Sequence, residues 1–93
     1  MYKIIDTKSS GKTGRLMLLV KENGGVLSCS NPKAMEEKAR GYGITGIEFI
    51  SYYDLLFGGI KYDDIYIDDL EFFSQYVLMR IGTVKGFTIS LED

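Results

Sequence analysis

Ile4-Ile5-Asp6-Thr7-Lys8-Ser9-Ser10-Gly11-Lys12-Thr13-Gly14-Arg15-Leu16 runs from the end of an apolar strand pattern, through a polar turn, into a helix-like segment. A strand that turns sharply into a helix aims backbone N–H groups and the positive end of the helix dipole at one point, where a phosphate can sit. Glycine at Gly11 lets the backbone approach an anion, Lys12 adds a mobile positive charge, and the Thr13 hydroxyl is a ligand for a metal. Ser9, Ser10 and Gly14 complete the expected cradle. Asp6 stands five positions before Gly11, where a full loop of this kind carries glycine, and its charge opposes an anion unless it points away or is offset by Lys8.

A second segment, Ile65-Tyr66-Ile67-Asp68-Asp69, is an apolar strand ending in two carboxylates. A phosphate loop that binds with Mg²⁺ needs such a partner to hold the metal. The first aspartate, Asp68, is the expected metal residue with Thr13, and Asp69 is the candidate for activating water. The competing reading of Gly11–Thr13 is an ordinary polar turn in which Ser9 or Ser10 caps the following helix and Lys12 is solvated.

The chain has 93 residues, enough for one modest core, and residues 1–93 are read as a single domain. A formal net charge of −2 gives no general attraction to nucleic acid or to an acidic membrane. The single cysteine, Cys29, excludes an internal disulfide, and the absence of histidine excludes Cys/His zinc sites and histidine catalysis. With no apolar run of membrane-spanning length and no signal-like start, the expected location is cytoplasmic.

Periodicity and punctuation order the rest. Strands are predicted over Tyr2–Ile5, Val26–Ser30, Ile47–Ile50, Ile65–Ile67 and Phe87–Leu91. Helices are predicted over Thr13–Glu22, stopped by Asn23-Gly24-Gly25, over Lys33–Arg40 after an Asn31-Pro32 start, and over Leu70 to about Leu78, with a short turn at Tyr52–Phe57. Strands alternating with helices imply a three-layer α/β sandwich with a mostly parallel five-stranded sheet. In such sheets ligands bind at the carboxyl ends of the strands, where Asn31, Ser51, Asp68, Asp69 and Glu92 would gather.

By Ser10-Gly11-Lys12-Thr13 and Ile65-Tyr66-Ile67-Asp68-Asp69 the chain resembles a P-loop NTPase-fold domain reduced to its core, the two segments matching the end of Walker A and Walker B. Spacing and the Phe72-Phe73 pair are similar to the thymidine kinase branch, and the size and tyrosine content resemble small bacteriophage or prophage proteins. The resemblance implies binding of ATP or GTP with Mg²⁺, with Ser9, Ser10, Gly11, Lys12, Thr13 and Gly14 holding the nucleotide. It also implies Mg²⁺ at Thr13 and Asp68, and water activation at Asp69. The chain departs from the pattern at Asp6, at Asp69 in place of the longer glutamate, and in having no lid.

Slow or absent hydrolysis is the expectation, since a shortened carboxylate withdraws a base from its water and Arg15, Arg40 and Arg80 are not placed by sequence as a second cation. The alternative is a phage-type interaction or inhibitor protein on a degenerate P-loop scaffold; a DNA-linked accessory role using Lys3, Lys8, Lys12 and Lys85 fits the acidic balance least. Tyr62-Asp63-Asp64 reads as a solvated turn, Glu36 and Glu37 with Lys33 and Lys38 as a charged outer helix face, and Cys29 as a small buried residue. Tyr52-Tyr53 and Phe72-Phe73 read as packing.

Overall fold

The computed structural model describes residues 11–82 together with 85, 86 and 88. Its elements are α1 (Lys12–Asn23), β1 (Val26–Cys29), α2 (Pro32–Gly41), β2 (Glu48–Ser51), α3 (Tyr52–Phe57), β3 (Ile65–Ile67) and α4 (Leu70–Ile81). The three strands form one sheet in the order β2-β1-β3, with both neighbours parallel to the central strand. Leu27 pairs with Phe49 on one side and Tyr66 on the other, which fixes the register.

The local chemistry explains the boundaries. Asn31 accepts a hydrogen bond from the Ala34 N–H, and Pro32, which has no N–H to lose, starts α2. Ser51 caps α3 and Asp69 caps α4 by the same device. After α1 the chain turns through Gly24 and Gly25, both at positive φ; a Cβ on Gly25 would stand 2.7 Å from the Asp64 carbonyl oxygen. Only glycine fits where the Val26 N–H reaches Asp64 to begin β1.

All four residues of β1 are buried, so the central strand is covered on both faces. Leu27 and Cys29 pack with Met17 and Val20 of α1 and Ala39 of α2, flanked by Met35, Ile44, Phe49 and Tyr66. Tyr52, also buried, meets Phe73 edge to face at 5.2 Å and Tyr76 at 5.9 Å, which ties α3 to α4.

The molecule is thus a small α/β domain with a parallel sheet, as predicted, but the described residues supply three strands where five were expected. Tyr2–Ile5 lies outside the described residues, and so does all of Phe87–Leu91 except Thr88, which is in no regular element. Two smaller corrections are local. Strand β2 sits one residue later than predicted because Ser51 can close a strand and cap a helix at once, and α4 runs to Ile81 because no breaker precedes Gly82.

Candidate phosphate and metal site

Three helices start at the carboxyl edge of the sheet: α2 follows β1, α3 follows β2, and α4 follows β3. Helix α1 packs on the sheet through Met17 and Val20, and one hydrogen bond ties its start to the same edge. The Thr13 hydroxyl donates to Asp68 Oδ1 at 3.1 Å, across 55 positions of sequence. Among the described residues no side chain caps the start of α1, whose N-cap is Gly11, left-handed at φ 82°. A left-handed residue followed by right-handed ones is the backbone form of an anion nest.

Asp68 follows the last residue of β3, and its own N–H donates to the Ser28 carbonyl, which extends the ladder by one rung. The junction is held from the other face by Tyr52, whose hydroxyl donates to the Asp68 carbonyl at 2.5 Å and lies 3.5 Å from that of Asp69. Asp69 then takes the left-handed conformation at φ 61°, the only non-glycine residue among those described to do so, and its Oδ1 accepts the Phe72 N–H at 3.1 Å. Two consecutive carboxylates therefore have different surroundings. Asp68 is half-buried against Thr13, while Asp69 is exposed and engaged as a helix cap.

Burial is the main influence on Asp68 and raises its pKa above the usual carboxylate value. The Thr13 hydroxyl opposes this, the Asp69 carboxylate reinforces it, and Lys38 and Lys12 oppose it more weakly. The nearby Cys29 thiol is pushed up to about 11, first by burial and then by Asp68, and stays protonated at neutral pH. Tyr52 is raised for the same two reasons, burial first, so its hydroxyl remains a donor.

The oxygen donors at this edge limit what metal chemistry the described residues can supply. Among the described residues no group of three or more His, Cys, Asp or Glu side chains comes together, so no protein-only metal cage exists there. Mg²⁺ does not need one: it is held by one or two protein oxygens and completes its shell with phosphate oxygens and water. Thr13 Oγ1 and Asp68 Oδ1 are such a pair, and a partly desolvated carboxylate gains from a nearby cation.

Of the residues singled out by sequence, the structure brings together Gly11, Lys12, Thr13, Gly14, Asp68 and Asp69. Ser9 and Ser10 lie outside the described residues, as do Asp6 and Lys8. Asn31 and Ser51, expected along this edge, are both helix caps, Asn31 as its Asn-Pro signal predicts and Ser51 without having been singled out as one. Arg40 pairs with Glu36 at 4.0 Å on the exposed face of α2, and Arg80 lies over the rings of Tyr53 and Tyr76, so neither turns toward Asp68. Lys38, read as part of a solvated face, acts on Asp68, and Tyr52, read as packing, positions it. Neither relation had a local sequence signal, because both depend on which elements pack together.

Comparison of the chain with family models, with curated proteins and with solved structures found no match. No helix among the described residues is long and apolar enough to cross a membrane.

Proposed function

We propose that this chain is a nucleoside triphosphate-binding protein of P-loop type, taking ATP or GTP with Mg²⁺ and hydrolysing it slowly or not at all. The observation that carries the reading is the 3.1 Å bond between Thr13 and Asp68. It sets a hydroxyl from the first turn of a helix that begins at a left-handed glycine against a carboxylate at a strand end, which is the pairing a phosphate-bound Mg²⁺ uses. Ser9 to Gly14 cradle the phosphates, Lys12 neutralises them, and Thr13 and Asp68 hold the metal.

The same bond supports the fuller sheet. Since α1 begins beside the carboxyl end of β3, a strand at Tyr2–Ile5 leading into it would run parallel to β3 along its outer edge, where Ile65 is 44% exposed. Slow turnover follows from Asp69: a carboxylate that accepts the Phe72 N–H is a poor candidate for a base reaching an attacking water.

Binding is tested by melting. ATP or GTP with Mg²⁺ at millimolar concentration is expected to raise the melting temperature, and Lys12→Ala to abolish the rise. An unchanged curve for the wild-type chain would sink the reading. A second reading, a protein-interaction module, is favoured by a different observation: α4 exposes Leu70, Phe72 and Met79, the last at 81%, and Ile60 nearby in sequence to β3 is also exposed. No shift with nucleotide, together with a stable complex lost on Phe72→Asp, is the outcome that favours it.

A further inference from the structure

The C-terminal turn of α2 and its cap residue bring two side chains to the neighbourhood of the site. Lys38 is close enough to act electrostatically on Asp68. One turn further, at the i+4 position that shares its helix face, Tyr42 lays its ring along Gly14: a Cβ built on Gly14 would stand 3.6 Å from Tyr42 Cε2 and 3.8 Å from Cζ. The ring thus borders the Gly11–Gly14 turn, yet Tyr42 keeps 52% of its surface exposed. Its backbone is fixed, since the Tyr42 N–H donates to the Lys38 and Ala39 carbonyls and the Ile44 N–H returns to Ala39.

Resting on the phosphate-binding reading above, we infer that Tyr42 is the base-stacking residue of the site and that the ligand is a nucleoside triphosphate in preference to a bare polyphosphate. An aromatic ring that lies against Gly14, at the end of the phosphate-binding turn, and keeps much of its surface exposed offers a π-face to any nucleobase. Lys38, one turn earlier, adds positive charge that acts on the Asp68 carboxylate. Stacking of this kind is tolerant of base identity, so ATP and GTP are both accommodated.

The test separates the base from the phosphates. Melting and titration with Mg²⁺ plus ATP, GTP or inorganic tripolyphosphate are compared for the wild-type chain, Tyr42→Ala and Tyr42→Trp. The chain has no tryptophan, so the last variant carries a single reporter at the ring position. The expected result is nucleotide binding about tenfold or more tighter than tripolyphosphate, a preference lost in Tyr42→Ala while tripolyphosphate binding persists. Quenching of Tyr42→Trp emission by nucleotide but not by tripolyphosphate would further support stacking, and a merely structural role for the ring does not produce it. Equal affinity for nucleotide and tripolyphosphate in the wild type, or an undiminished preference in Tyr42→Ala, overturns the inference and leaves the phosphate reading standing. If no ligand shifts the wild-type melt, both fall.

Discussion

Burial raises the proton affinity of Asp68, so the folded state holds that proton more tightly than the unfolded chain does. The sign of the linkage follows: the contribution of Asp68 to stability is fully present below its ordinary pKa of 3.8 and is lost as pH rises through the higher folded value. Asp68→Asn, which keeps an oxygen for the Thr13 hydroxyl, is therefore expected to melt a few degrees above wild type at neutral pH, with the difference closing as pH falls toward 4 or below. Thermal denaturation across that range checks it, and a variant less stable than wild type at neutral pH would contradict it. Asp69 is expected to behave differently. Asparagine tolerates left-handed backbone and accepts the same bond, so Asp69→Asn should leave the melting temperature nearly unchanged, whereas Asp69→Ala should cost about 1–2 kcal/mol through the lost cap. Tyr52→Phe removes one donor from the buried side of the β3–α4 junction and should cost on the order of 1 kcal/mol, leaving a carbonyl without its partner. At this scale the sequence named the carboxylates but did not separate their roles, because the same two residues become ligand candidate and cap only once backbone angles are known.

Elements were legible where a residue carries its own punctuation. Asn31-Pro32 announces α2, Gly24-Gly25 ends α1, and short apolar runs bounded by polar or glycine residues mark β1 and β3 within a residue of their observed bounds. The capping use of Asn31 was legible from the proline behind it, whereas Ser51 and Asp69 were legible as to place but not as to use: both satisfy helix N–H groups, a demand every helix start makes before any ligand arrives. Lys38 and Tyr52 were missed for a related reason, since their partners come from other elements. The αβ turn at Gly25 gives a sharp test of the element boundaries. Gly25→Ala combines φ 109° with a Cβ only 2.7 Å from the Asp64 carbonyl, so chemical denaturation should register a loss of about 1–3 kcal/mol or more. The equivalent change at Gly14, a helical position with the Tyr42 ring at ordinary contact distance, should be far milder.

At the scale of the molecule, the sheet order β2-β1-β3 places the only fully buried strand among the described residues at the centre and the carboxylate pair at the end of its neighbour. Stability rests on the packing of Leu27 and Cys29 against Met17, Val20 and Ala39, while α4 leaves large apolar side chains in contact with solvent. The site lies between the well-packed α1–β1–α2 side and this thinner β3–α4 side, joined by Thr13 and Tyr52 reaching Asp68 from different elements. On the function proposed above, the start of α1 and the end of β3 form one site for a Mg²⁺-bound triphosphate, and amide chemical-shift mapping by NMR with Mg²⁺ and ATP reads that site residue by residue. The largest shifts are expected at Gly11–Arg15 and at Asp68 and Asp69, and are expected to vanish in the Lys12→Ala variant; shifts confined to α3 and α4, or none at saturating nucleotide, would rule the site out.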